Sequence, residues 1–295
     1  MRRLKKNFYR GDKLKEYRRN LHFFLKNPLT VLGLMIAISL IFIAILAPQI
    51  APYPDQGRGN SNVKGRLTPP GYEYFFGTDD LGRDIFSRVI FGARVSLKAA
   101  IIVILIVVII GTPLGIIAGY FGGKIDEVIM RISDMVLAFP SLLLAIAIVA
   151  ALGPSLMNAM IALSVPWWPW YTRLARGQTI SLRERQFVEA AKAIGVSDFK
   201  IMIRHILPNC LTPIIVQATL DMGYIILSLA GLGFLGLGTQ PPTADWGVMI
   251  SNGRTFILDQ WWYSTFPGLA IFITVLGFNL LGDGLAEALN PKRRK

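Results

Sequence analysis

Cysteine and histidine are almost absent from this sequence. Cys210 is the one cysteine in 295 residues, so no disulfide can form within the chain, and His22 and His205 are the only histidines. A metal site built from Cys and His ligands needs three or four such residues together, so that class of site is excluded. The phosphate-loop motif G-x-x-x-x-G-K-[ST] is missing as well, which excludes ATP hydrolysis by that route. We therefore expect no metal, no cofactor and no catalytic residue.

Charged residues are also scarce, and they are mostly of one sign. They make up 17% of the chain against 53% hydrophobic residues, which is too apolar for a soluble domain of this size. The formal net charge is nevertheless +13. A basic chain can bind nucleic acid, but here the Lys and Arg residues lie between long apolar runs. Basic loops of a membrane protein explain that pattern, so we expect membrane lipid and no nucleic acid as a partner.

Six apolar stretches predict an all-α, polytopic membrane protein with six transmembrane helices. A helix of about 20 apolar residues crosses roughly 30 Å of hydrocarbon. The first stretch is too long for the apolar core of a signal peptide, so we interpret it as a retained anchor. Residues 124–131 are predicted to form a short turn. The stretches lie near residues 29–50, 99–120, 133–151, 156–171, 211–237 and 264–285.

The distribution of Lys and Arg predicts the orientation. Six spans place both termini on one side, and the segments on that side carry 23 basic residues, against 8 on the other side. Because basic segments stay in the cytoplasm, both termini and residues 173–208 should be cytoplasmic.

The polar segment between the fourth and fifth spans predicts two short helices joined by a tight turn. Gly195 stands where a helix ends in the left-handed conformation, which costs glycine little. Ser197 can cap the second helix, Asp198 suits its first turn, and Pro208 should stop it. Apolar residues recur at helical spacing in both helices, which is typical of the apolar stripe of an amphipathic helix: Phe187, Ala190, Ala191 and Ile194, then Phe199, Met202, Ile203 and Ile206.

One acid, Asp221, lies deep within a predicted span. A carboxylate there is costly, so it should face protein or water. It belongs to a polar stripe on an otherwise apolar helix, formed by Gln217, Asp221, Tyr224 and Ser228. The stripe can line a translocation pathway or pack helices together, and the pattern leaves both open.

Small residues and aromatic residues form further patterns. Glycines recur every fourth residue at Gly111, Gly115, Gly119 and Gly123, which predicts a close helix-packing face. Two aromatic clusters, at residues 167–171 and 261–263, suit interfacial belts, although the first could also form a substrate cage.

Two further motifs resemble known ligand-binding motifs but lack the spacing or the position that those sites require. The acids at positions 79, 80 and 84 do not have the spacing of an EF-hand calcium loop. The G-x-G-x-x-G at residues 231–236 lies inside a span rather than between a strand and a helix, so a dinucleotide site is improbable.

The segment at residues 189–209 resembles the cytoplasmic loop of importer-type ABC permeases. The matching positions are Glu189, Ala190, Ala191, Gly195, Leu207 and Pro208, while His205 replaces the usual Ile. Residues 77–88 and 232–250 resemble the C-type permeases for dipeptides, oligopeptides and nickel. Together the resemblance covers about residues 76–285.

The resemblance implies a type I importer permease fold and a set of partners. These are a second homologous permease subunit in a heterodimer, two ATPase subunits and an extracytoplasmic substrate-binding protein, in a bacterial or archaeal cytoplasmic membrane. It also implies that the six matching positions dock the ATPase, and that the substrate is a short peptide, nickel or another small solute. A self-contained secondary transporter or channel is the alternative, and a membrane enzyme is less favoured still.

The corresponding domain division has three parts. Residues 1–92 form a basic cytoplasmic arm, the first transmembrane helix and an extracytoplasmic segment. Residues 93–285 form the permease core with its coupling loop at 182–209, and residues 286–295 form a basic cytoplasmic tail.

Overall fold

The structure, a computed structural model, describes residues 24–289, where it is almost wholly helical. Its only β feature in that range is an isolated bridge between Thr78 and Asp84. The predicted basic arm up to residue 23 and the tail from residue 290 lie outside the described residues. The α-helices are α1 (Pro28–Ile45), α2 (Ala47–Ile50), α3 (Pro54–Arg58), α4 (Ile85–Phe121), α5 (Gly123–Leu137), α6 (Ser141–Leu152), α7 (Leu156–Arg183), α8 (Gln186–Ala193), α9 (Asp198–Ile201), α10 (Leu207–Phe234), α11 (Trp246–Gly253) and α12 (Trp262–Leu289).

The all-α membrane architecture is confirmed, but six uniform spans are not found. Within the described residues, four helices are long and apolar enough to cross a membrane, or five if α5 and α6 form one bent span. The four are α1, α4, the continuous stretch Asp198–Phe234 and α12. The 28-residue α7 is long enough, but its second half carries Arg173, Arg176 and Arg183.

The region of the third span differs from its prediction. Residues 124–131 belong to α5 and do not form a short turn, and an 83° bend separates α5 from α6. The break falls at Phe139 and Pro140. Proline lacks a backbone N–H and disfavours helical geometry in the residue before it, so α5 cannot continue through this point.

The glycines of α4 form the predicted packing face against α7. A Cβ atom at Gly111 would lie 2.5 Å from the carbonyl oxygen of Trp168, and one at Gly119 would lie 2.8 Å from that of Arg176. The face ends there, because Gly123 has open space around it. Helices α4 and α7 therefore meet backbone to backbone along more than two turns.

The polar segment before α4 folds back onto the start of α12. Asp79 is buried, and its carboxylate forms an ion pair with the guanidinium of Arg83 at 2.6 Å. Tyr263 donates a 2.7 Å hydrogen bond to Asp80, and the indole N–H of Trp262 donates to the carbonyl of Thr78. The belt prediction is wrong for Trp262 and Tyr263, because both are buried in this contact, whereas Trp261 is exposed.

Candidate functional site

The loop at residues 182–209 has the predicted helix–turn–helix form. Helix α8 ends just before Gly195, whose φ of 78° is left-handed, and α9 begins after Ser197. Ser197 is the N-cap residue, but its side chain makes no capping hydrogen bond. Asp198 stands in the first turn as expected.

The two apolar stripes of the loop helices are only partly buried in the protein. Val188 and Ala191 face the protein in α8, whereas the side chain of Ile194 is 80% exposed. After the turn, Ile201 is buried and Phe199 is 71% exposed. The other members of the predicted stripes divide in the same way: Met202 and Ile206 are buried, and Phe187, Ala190 and Ile203 are exposed. The loop thus presents apolar side chains outward, which we call the loop apolar patch: Phe187, Ile194, Phe199 and Ile203.

Glu189 is exposed within this surface. It forms no ion pair with any residue from 24 to 289. Exposed apolar side chains that are bordered by polar or charged residues are typical of an interaction surface.

Pro208 does not stop the second helix as predicted. Residues Met202–Ile206 form a π-helical turn, and the chain continues directly into α10, with Leu207 half-buried and Pro208 in its first turn. A π-turn shifts the hydrogen-bond pattern by one residue, which accommodates a residue without an N–H. The second loop helix is therefore the first part of one long helix that reaches Phe234.

Polar contacts tie the loop to the end of α4. The hydroxyl of Tyr120 donates a hydrogen bond to Asp198, and the Lys192 ammonium lies 4.8 Å from the centre of the Tyr120 ring. Arg183 donates to the carbonyls of Gly119 and Tyr120 at 3.3 and 3.2 Å. Side chains from both loop helices, Lys192 and Asp198, thus contact the end of α4. Sequence reasoning missed Tyr120, whose only signal is an aromatic residue at the end of a span.

The second candidate site surrounds Asp221. Tyr171 on α7 donates a 2.8 Å hydrogen bond to one carboxylate oxygen, and Gln217, one turn away on α10, donates a 3.0 Å bond to the other. These residues border a cleft of about 550 Å³ lined by Trp167, Trp170, Arg173, Leu174, Gln217 and Asp221. We call it the Asp221 cleft. The predicted stripe is only partly brought together, since Tyr224 packs on Trp167 with ring centres 4.8 Å apart and Ser228 lies outside the cleft.

The aromatic cluster of α7 is not a simple interfacial belt. Trp167 and Tyr171 are buried and face α10, so the belt prediction is wrong for them. Trp170 is about half exposed, at 52%. Aromatic and polar side chains of α7 and α10 therefore share one cleft near the middle of both helices.

The sequence matches two families of transport components. Residues 111–295 match the binding-protein-dependent transport system inner membrane component family, and residues 17–70 match the N-terminal transmembrane domain of oligopeptide transport permease C. The chain belongs to the family of binding-protein-dependent permeases. It is the membrane permease subunit of an ATP-driven importer. This family membership favours the importer over the alternative, a self-contained secondary transporter or channel.

Individual relatives agree with this assignment. The permease is 52% identical to the dipeptide transport system permease protein DppC of Alkalihalophilus pseudofirmus, over 91% of this chain and 88% of the relative. It is 45% identical to the glutathione transport system permease protein GsiD of Escherichia coli, over 91% and 88%. Permeases of this family work with a partner permease, ATPase subunits and a substrate-binding protein.

The fold is also found in a solved structure. An inward-facing conformation of the MetNI methionine ABC transporter superposes with a TM-score of 0.55, at 18% identity, over 69% of this permease and 97% of that chain. The type I importer permease fold is therefore confirmed, and the binding-protein-dependent permease is a multi-pass membrane protein.

Proposed function

We propose that this permease imports short peptides and that its loop at residues 182–209 docks a separate ATPase. In this proposal it pairs with a second, homologous permease subunit as a heterodimer. Two ATPase subunits and an extracytoplasmic substrate-binding protein complete the importer. The chain itself hydrolyses no ATP, in keeping with the missing phosphate-loop motif. The peptide substrate is supported by the names of relatives such as the dipeptide permease of Alkalihalophilus pseudofirmus.

The observation that carries the docking proposal is the loop apolar patch. Ile194 and Phe199 flank the Gly195 turn and are the most exposed apolar side chains of the loop. Exposed apolar side chains next to a charged residue such as Glu189 mark protein-interaction surfaces. Ala190 is exposed on the same loop, and its small side chain permits close approach of a partner. An ATPase cleft is the partner that the six motif positions imply.

Two connections can carry motion from the loop to the rest of the permease. The first is the continuous helix Asp198–Phe234, which holds both the loop residue Phe199 and Asp221. The second is the Tyr120–Asp198 hydrogen bond to α4. A rigid helix moves as one body, so displacement of the loop displaces the Asp221 cleft. We propose that this cleft lines the translocation pathway, with Gln217, Tyr224 and Ser228 on the same helix.

The test replaces an exposed apolar residue of the loop by a charged one. Ile194→Glu and Phe199→Glu should leave the permease inserted and folded, because neither side chain is buried. They should lower ATPase copurification and uptake of a radiolabelled dipeptide by about tenfold, the effect of ~1.4 kcal/mol at an interface. Leu258→Glu is the matched control, because Leu258 is an equally apolar side chain, 94% exposed, outside the loop.

The comparison between variants decides the proposal. Normal copurification and normal uptake in both loop variants would contradict docking through this patch. Equal losses in Leu258→Glu would show that the effect comes from added surface charge and not from the loop. Glu189→Lys adds a further check, since it reverses a contact charge without changing an apolar side chain.

A further inference from the structure

The Asp221 carboxylate has hydrogen-bond donors but no cation. Tyr171 and Gln217, both neutral, each donate a hydrogen bond to one of its oxygens. Among residues 24–289 no Lys, Arg or His forms an ion pair with it. Neutral donors disperse a negative charge without cancelling it, and an uncancelled charge near the middle of a membrane helix is costly. The geometry therefore suits a cation that arrives from outside the chain.

The walls of the Asp221 cleft also suit a cation. Trp167 is buried beside the carboxylate, and Trp170, one turn further along α7, is half exposed at the cleft. Tryptophan is the aromatic side chain whose face attracts ammonium groups most strongly. The structure thus combines an acid with two indole rings in one opening, a set that recognises an ammonium better than it recognises a neutral solute.

A positively charged side chain also lines the Asp221 cleft. Arg173 lines it and holds Asp134 at 2.6 Å, in an ion pair whose side chains are both about half exposed. Ion pairs with this much exposure are weak, so a second carboxylate can share or replace Asp134. The cleft volume of about 550 Å³ lies within the range for small-molecule sites. An acid, a base and this volume fit a small zwitterion.

We propose that the Asp221 cleft is a transient binding site for the zwitterionic backbone of a short peptide, with the α-ammonium at Asp221 between Trp167 and Trp170 and the α-carboxylate toward Arg173. This inference rests on the proposed import of peptides. It adds that the permease itself recognises the free amino terminus during passage.

The test measures binding to the assembled permease–ATPase complex in nanodiscs, purified without the substrate-binding protein. Saturation-transfer NMR detects weak ligands, and the probes are alanyl-alanine and N-acetyl-alanyl-alanine. We expect saturation transfer to alanyl-alanine. Transfer to the acetylated peptide should be about tenfold lower, because acetylation removes the ammonium charge. Asp221→Asn keeps the shape and the hydrogen-bond acceptor but loses the charge, so it should abolish the preference for the free amine.

Two further variants keep the result interpretable. Asp283→Asn, at an exposed acid near the end of α12, should leave the preference unchanged. Trp170→Ala makes the same test without touching a hydrogen bond of Asp221, and should weaken alanyl-alanine binding about threefold to tenfold. Equal binding of both peptides by the parent complex, or an unchanged preference in both Asp221→Asn and Trp170→Ala, would overturn the proposal.

Parallel uptake measurements separate this inference from the proposed function. If the parent complex with its binding protein imports dipeptide but shows no amine preference in nanodiscs, only the cleft assignment fails. If the complex neither imports dipeptide nor couples to its ATPase, the proposed function fails as well. If Asp221→Asn alone prevents assembly while Trp170→Ala binds like the parent, Asp221 packs helices and the cleft assignment is wrong.

Discussion

The Tyr120 hydroxyl donates a hydrogen bond to the Asp198 carboxylate, which joins the end of α4 to the first turn of α9. Tyr120 is itself buried, so its ring is fixed while its hydroxyl reaches the loop. Asp198 stands three residues after Gly195, the turning point of the loop. We therefore propose that a motion that starts at the turn reaches α4 through this bond.

Removal of that bond should weaken coupling more than assembly. Tyr120→Phe deletes one hydroxyl and leaves the ring in place, at a net loss of about 1.5–3 kcal/mol for a hydrogen bond to a charged group. We expect ATPase copurification to persist while the number of ATP molecules hydrolysed per peptide imported rises severalfold. Tyr72→Phe is the matched control, because Tyr72 is fully exposed. An unchanged ratio in Tyr120→Phe would show that the bond transmits nothing.

A substitution at Gly195 tests the backbone conformation of the turn without steric clashes with neighbouring atoms. Nothing lies within 4 Å of a Cβ atom placed there, so Gly195→Ala is opposed only by the φ of 78°, at about 1–2 kcal/mol. We expect a distorted turn, reduced ATPase copurification and a normally inserted permease. Gly231→Ala lies in equally open space within α10, without a left-handed φ, and should behave like the parent. Identical copurification by the two variants would contradict a geometric role of the turn.

Asp245 provides a prediction of pH dependence. It caps α11 by accepting from the backbone N–H of Val248, yet burial raises the pKa of its carboxyl above the ordinary value. The folded protein thus holds this proton more tightly than the unfolded chain does. The stability that this group contributes is therefore present in acid and falls as pH rises from about 3.9, the ordinary Asp pKa, through the raised value.

Asp245→Asn should remove the loss of stability that the charged Asp245 carboxylate causes at neutral pH. The amide oxygen keeps the cap and carries no charge, so the Tm of the variant in detergent should exceed that of the parent at neutral pH. The difference should shrink as pH falls toward 4, where the parent carboxyl is protonated. Asp259→Asn, at an exposed acid, should show no such trend. A variant that is less stable at every pH would mean that the charged form of Asp245 is the favourable one.

The orientation of the permease can be tested with single cysteines. Cys210 is buried, so the background labelling should be low. We expect Leu258→Cys to react with an impermeant maleimide in intact cells. We expect Glu127→Cys, in the first half of α5, to react only after permeabilisation, because both termini and this part of α5 are proposed to be cytoplasmic. Reaction of Glu127→Cys in intact cells would reverse the topology.

Sequence patterns predicted the helices better than they predicted which side each helix buries. Gly111 and Gly119 were found correctly, because close helix contact requires small residues at fixed spacing. The loop stripes were found as apolar faces, but periodicity does not say whether this chain or another protein covers such a face. Ile194 and Phe199 are apolar and helical in spacing, yet they point away from the protein.

The candidate sites show the same limit. Asp221 was recognisable as a lone acid in a span, and Gln217 as its neighbour one turn away. Their partner Tyr171 could not be assigned, since its pairing depends on how α7 packs against α10, which is a long-range relation. An aromatic cluster at the end of an apolar stretch fits a membrane interface as well as a cleft. Only the packing of the two helices distinguishes these cases.

The π-turn at Met202–Ile206 lies between the loop and Asp221 on the same helix. It contains one residue more than regular α-helical geometry would need. Each residue of an α-helix turns the chain by about 100°. Deletion of one residue here would let the helix close with regular α-helical geometry and would leave Phe199 and Asp221 at nearly the same relative angle. Deletion of one residue from the regular α-helix between Ile206 and Asp221 would instead rotate Phe199 relative to Asp221 by about 100°. The same change in length is therefore absorbed at the π-turn, and it separates the two sites in angle only when it falls outside that turn.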